Sequence, residues 1–219
     1  MPYLPAIEIE PAQPATAAVI WLHGLGADGN DFAPIVPELR LPESMAVRFI
    51  FPHAPSIPVT INNGWVMPAW YDILEMTLDR RIDETQLRAS AAEIRKLIER
   101  EIERGIDSRR ILLAGFSQGG AVAYETALSF DKPLGGLLAM STYYATADSI
   151  ELNDANRLLP VLVQHGTLDP VVPESLGQKA QQRLQADDFE VSYQSYPMEH
   201  AVCPPQIDAI ADWIRGRLQ

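Results

Sequence analysis

Ser117 stands in Gly115-Phe116-Ser117-Gln118-Gly119, between the apolar run Ile111-Leu112-Leu113-Ala114 and a helix-like run from Ala121 to Leu128. With a strand before it and a helix after it, a Gly-x-Ser-x-Gly pattern forms a sharp reversal. The reversal forces the serine into a strained backbone conformation and lifts its hydroxyl clear of the sheet. Glycines at 115 and 119 allow this, because neither carries a Cβ to collide where strand and helix pass the bend. The chemistry such a serine supports is nucleophilic attack on an acyl carbonyl. Its hydroxyl is a poor nucleophile near neutral pH, so it needs a general base within hydrogen-bond reach and a carboxylate to hold that base in one tautomer.

Histidine is the natural base. His23, His53, His165 and His200 all follow predicted strands, so position at a strand end does not separate them. Chain order does: elbow serines of the α/β-hydrolase type are followed first by the acid and then by the histidine. Asp169 lies in a loop after the predicted strand 161–164, kept out of helix by Pro170, and His200 is the histidine that follows it. Asp187 and Asp188 precede a strand and should lie at the opposite edge of the sheet, whereas Asp148 and Asp154 remain alternatives on this reasoning. Acyl transfer also needs donors aimed at the developing oxyanion. The amide after the nucleophile, Gln118, is one; the loop His23-Gly24-Leu25-Gly26 after an early strand supplies the other, at Leu25. Gly24-x-Gly26-x-x-Gly29 is nominally a dinucleotide motif, but the histidine at its turn and the second motif at Ser117 favour hydrolase chemistry.

The elements that must position these residues alternate along the chain. Ala17 to Leu22 and Val47 to Phe51 read as buried strands, with a helix between them capped by Asn30 or Asp31 and running to Leu39. Residues from about 53 to 82 break into Pro, Asn, Gly and aromatic residues, a long excursion of the kind that usually serves function. Asp83 with Gln86 resembles a capping box. It opens a helix whose stripe Leu87, Ala91, Ile94, Ile98 and Ile102 ends near Gly105. Further strands are predicted at 111–114, 134–140, 161–164 and 190–196, and further helices over about 174–185 and 205–218. This alternation implies right-handed βαβ units: a mostly parallel central sheet with helices on both faces, and a site at the carboxyl ends of the strands.

The 219 residues, 47% of them hydrophobic, suit a single domain spanning 1–219. The net charge of −12, with no basic run, argues against nucleic acid as a partner. Cys203 stands alone, so neither an intrachain disulfide nor a cysteine-based metal cluster can form; it reads as a small buried apolar residue. No apolar run reaches the ~18 residues of a membrane span, and Met1-Pro2-Tyr3-Leu4-Pro5 lacks the features of a secretory signal, so a cytoplasmic protein without stable membrane insertion is expected.

Taken together, His23 to Asp31, Met67-Pro68-Ala69-Trp70-Tyr71-Asp72, Gly115 to Gly120, His165 to Pro173 and the segment around His200 resemble the phospholipase/carboxylesterase family of α/β-hydrolases, which includes the acyl-protein thioesterases. The likeness runs from near residue 17 to near residue 215, and it lies closer to the compact bacterial carboxylesterases than to the eukaryotic thioesterases. It implies an α/β-hydrolase fold with minimal or no cap domain. It also implies a serine hydrolase with Ser117 as nucleophile, Asp169 as acid, His200 as base, Leu25 and Gln118 amides at the oxyanion, and no metal or organic cofactor. The excursion is then expected to cover an acyl pocket, with Leu25, Trp65, Met67, Trp70, Tyr71, Ile73 and Val172 as substrate-binding residues. Ser141-Thr142-Tyr143-Tyr144 is a point where pocket shape can be set. Short- to medium-chain acyl esters are the expected substrates, with long-chain thioesters or lysophospholipids as the alternative and a non-catalytic interaction protein as a remote one. A homodimer follows if the excursion packs on a second copy of itself, an arrangement the resemblance allows.

Overall fold

The computed structural model describes residues 3–76 and 80–219, so residues 77–79 of the excursion lie outside the described residues. Along the chain run β1 (Ala6–Ile9), β2 (Ala17–Leu22), the one-turn α1 (Ile35–Glu38) and β3 (Val47–Pro52). Two short ribbons follow, β4 (Ser56–Val59) with β5 (Trp65–Pro68) and β6 (Ile73–Glu75) with β7 (Arg81–Ile82). Then come α2 (Glu84–Glu103), β8 (Ile111–Phe116), α3 (Gln118–Ser129), β9 (Gly136–Met140), β10 (Val161–Gly166), α4 (Glu174–Ala186), β11 (Val191–Tyr196) and α5 (Pro204–Leu218).

The central sheet has the order β1-β3-β2-β8-β9-β10-β11. Every neighbouring pair is parallel except β1 with β3. Strands β2, β8 and β9 are apolar along almost their whole length because both of their faces are covered, while β10 also buries Gln164 and His165. In β2 the side chains alternate between the two covers. Ala18, Ile20 and Leu22 join the core beneath α2, α3 and α4, while Ala17, Val19 and Trp21 join the one beneath α1 and α5. This is the expected mostly parallel sheet with helices on both faces, and the described residues form no cap domain.

Several local expectations need correction. The predicted helix ending at Leu39 is one turn long. Residues 29–34 form turns, with Asp28 accepting from the Asn30 amide at 2.7 Å, and Pro34 and Pro37 leave little amide pairing for a longer helix. The capping box at α2 is half built: Asp83 accepts from the Gln86 amide at 2.9 Å, but the Gln86 side chain accepts from Asp72 N at 2.8 Å instead of turning back. Gly105 ends the helix with φ +96°, as its position after the stripe predicts. His165 lies inside β10 rather than after it, and Cys203 is half-buried at the start of α5 rather than in the core.

Edge strand β1 is tied down by charge. Glu8 pairs with Arg100 of α2 and with Arg104 just after it, and Glu10 with Arg48 of β3 and with Arg104. The fully buried Glu101 gathers the same three arginines, with Arg48 Nη1 at 2.6 Å. A carboxylate this deep is tolerated because each of its oxygens is met by guanidinium donors.

Candidate active site

Ser117 sits between β8 and α3 at φ 54°, ψ −123°, a conformation that costs a non-glycine residue on the order of 1–3 kcal/mol. The surroundings hold it there. Its amide donates to Met140 O at 2.9 Å and its carbonyl accepts from Thr142 Oγ1 at 2.6 Å. A Cβ on Gly115 would stand 2.5 Å from Gly119 O, and one on Gly119 would stand 2.5 Å from His23 O and 2.7 Å from Leu22 O. Only glycine at these two places lets α3 start directly behind the strand ends.

The loop after β11 brings His200 over this turn. Its Nε2 lies 2.9 Å from Ser117 Oγ and its Nδ1 lies 2.7 Å from Asp169 Oδ2. A carboxylate can only accept, so Nδ1 carries the proton and Nε2 presents a lone pair to the serine hydroxyl. Phe116 packs against the imidazole with ring centroids 4.7 Å apart. Asp169, in the loop after β10, has no exposed side-chain surface. Burial pushes its carboxyl up, but the hydrogen bond from His200 and the Val172 and Val171 amides on Oδ1 outweigh this and hold it below the ordinary carboxylate range.

Two other histidines brace the loops. His165 Nε2 donates to Val172 O at 2.8 Å, which fixes the loop that carries Asp169. Burial, only partly opposed by that hydrogen bond, pushes His165 down and keeps it neutral. His23 Nε2 accepts from Ala54 N at 3.1 Å, so its Nδ1 carries a proton and donates to Gly24 O at 2.7 Å. With the Gly24 carbonyl turned toward the imidazole, the planar peptide leaves the Leu25 N–H on its other side. Among the described residues, neither that N–H nor the Gln118 N–H donates to a protein acceptor, and both residues line the cavity around Ser117. His53 Nδ1 accepts from Gly29 N at 3.1 Å and stays outside this cavity.

The cavity at Ser117 and His200 measures about 260 Å³, and its apolar walls come from Leu25, Ile61, Ile73, Met76, Tyr143 and Val171. Of the predicted substrate-binding residues, Leu25 and Ile73 line it. The others do not. Trp65 is 73% exposed on β5, and Met67 packs beside Gly26 and Asn62. Trp70 and Tyr71 are fully buried as a clamp: the Trp70 indole donates to His23 O at 2.9 Å, while the Gln118 side chain accepts from Trp70 N and donates to Tyr71 O. Val172 is fully buried with its amide on Asp169, and its neighbour Val171 faces the cavity. Tyr143 comes from the segment singled out for pocket shape. Ile61, Met76 and Val171 carried no pattern that distinguished them from other apolar loop residues. Asp148 and Asp154 lie elsewhere, paired with Arg183 and Arg157.

Comparisons with known proteins agree on one family. A family model described as phospholipase/carboxylesterase matches residues 5–217. The acyl-protein thioesterase 1 of Gibberella zeae is 37% identical over 214 residues, covering 93% of this chain and 91% of that protein. The crystal structure of Zea mays acyl-protein thioesterase 2 superposes with a TM-score of 0.86 at 27% identity, covering 99% of this chain and all of that one. The Bacillus cereus carboxylesterase, at 15% identity, shares the fold with a TM-score of 0.80 over 98% of this chain and 94% of its own.

Proposed function

Because the chain belongs to the phospholipase/carboxylesterase family of serine hydrolases, we propose that it cleaves long-chain acyl thioesters and esters through an acyl-serine intermediate. The observation that carries this reading is the continuous hydrogen-bonded series Ser117 Oγ, His200 and Asp169, opening onto an apolar cavity. Ser117 Oγ attacks the acyl carbonyl carbon while His200 Nε2 takes its proton. The oxyanion accepts from the Leu25 and Gln118 amides, and Asp169 holds the imidazolium that has formed. Collapse breaks the bond to the leaving alcohol or thiol, which receives the proton from Nε2. Water then repeats the sequence, and the carboxylic acid leaves.

The expected preference for short- to medium-chain esters has weaker support than its alternative. The relative at 37% identity is a thioesterase, whereas the bacterial carboxylesterase at 15% informs the fold alone. One observation keeps the shorter-chain reading in play: the cationic Arg80 is part of the lining of the cavity at Ser117. Hydrolysis rates across acyl esters and thioesters from acetyl to palmitoyl, measured beside Ser117→Ala, test both. Activity that rises toward palmitoyl and drops on the order of a millionfold in the variant is expected. A maximum at acetyl or butyryl would return the assignment to small esters, and serine-independent activity would remove the mechanism.

A further inference from the structure

Beside the cavity at Ser117 lies a second, larger one of about 330 Å³, walled by Tyr144, Ala145, Ala147, Leu176 and Ala180. Two residues, Arg80 and Tyr143, line both. Tyr143 is fixed, being almost fully buried with its hydroxyl 2.7 Å from that of Tyr71. Arg80 is half-buried and held by neutral groups. Its guanidinium lies 4.9 Å over the Tyr143 ring, Nη1 is 3.2 Å from Met76 Sδ, and Nη2 donates to Val171 O. A thioether is a weak acceptor, and among the described residues no carboxylate pairs with this guanidinium. A cation so held can turn its head into water and recover full hydration without breaking an ion pair to any described residue.

We propose that the second cavity is a distal acyl subsite and that Arg80 sets how far an acyl chain reaches into it. The proposal rests on the hydrolase reading of the first cavity and adds the determinant of chain length. With Arg80 in place the proximal space is about 260 Å³ and has a charge in its lining, which suits a short or medium chain. With the side chain turned outward the two spaces, about 260 and 330 Å³, would join past Tyr143. A longer chain then crosses the Tyr143 ring and lies against Ala145, Ala147, Leu176 and Ala180. Three of those four wall residues are alanines, which is where the volume comes from. The rim is polar: Arg183 pairs with Asp148 at 2.8 Å and Asp187 at 3.0 Å, and the exposed Lys179 stands at the same cavity. The apolar wall of Ala145, Ala147, Leu176 and Ala180 is the part a hydrocarbon chain would cover, leaving these charges at the rim.

Binding of free fatty acids, which needs no turnover, tests this on the full chain by calorimetric titration with octanoate and palmitate. Each methylene moved from water into an apolar site is worth about fourfold in affinity. Arg80→Ala should therefore raise the palmitate-to-octanoate affinity ratio at least tenfold, and adding Ala147→Phe should return it to the starting value. Ala147→Phe alone, with Arg80 intact, should lower the ratio. A ratio that stays constant across all three variants overturns the subsite, even if hydrolysis is serine-dependent. Ratios that move as described in a chain that hydrolyses nothing would uphold the subsite and overturn the enzyme reading instead.

Discussion

Asp169 illustrates how much one side chain can be asked to do. One oxygen orients His200 and the other accepts from two amides of its own loop, so the carboxylate is positioned before any substrate arrives. Asp169→Asn should keep the fold yet present an amide to Nδ1, favouring the tautomer with its proton on the wrong nitrogen. A fall in kcat on the order of 10⁴ is expected, with an unchanged circular dichroism spectrum, and a fall under tenfold would leave Asp169 without the orienting role. Residues of this kind are legible in the sequence because their chemistry imposes spacing and order: the elbow points to Ser117, chain order points to His200 and, with Asp148 and Asp154 left as alternatives, to Asp169, and the flanking loops point to Leu25 and Gln118. The cavity walls were not legible in the same way. Val171 faces the cavity and Val172 the core, and nothing in two adjacent valines distinguishes them until the Val172 amide is committed to Asp169.

At the scale of elements, the elbow shows packing set by what is missing. Gly119→Ala would drive a methyl into the carbonyls of Leu22 and His23, neither of which can retreat from a central strand end. The variant should lose on the order of 1–3 kcal/mol in urea unfolding and should also lose activity, because the loop it displaces carries Leu25. Full activity at wild-type stability would show that the close approach is dispensable. The long strands and helices were readable because burial on both faces, or a 3.6-residue stripe, repeats over enough residues to leave a pattern. β1 has four residues and one alternation, too few to leave a pattern. The Pro, Asn and Gly content around the ribbon β4–β5 suggests irregular chain, although Asn63-Gly64 in the middle of it is a turn signal. Asn63 at φ 57° and Gly64 at φ 75° occupy the left-handed region there.

Across the whole molecule, the buried histidines couple stability to pH. Burial lowers the pKa values of both His23 and His165, so the folded chain refuses protons that the unfolded chain binds near the ordinary histidine value of about 6.5. Their contribution is therefore complete above that value and is lost as pH falls from it toward their folded values. Melting midpoints should decline between about pH 7 and pH 5.5, and His165→Asn should flatten the decline. Midpoints that stay level over that range would mean that neither histidine is protected from protonation. The shifted carboxylates, Asp169 among them, act in the same direction but at more acidic pH.

The histidine of the site rides on the loop between β11 and α5, and β11 is the outermost strand on its side of the sheet, joined only to β10. The serine belongs to the middle of that sheet and to the middle of the chain. During synthesis Ser117 therefore emerges well before His200, and pairing of the last edge strand joins the two. On the proposed mechanism, hydrolysis then reports the end of folding rather than its beginning. In a refolding experiment, recovered activity should lag behind recovered helix signal by the time β11 takes to dock.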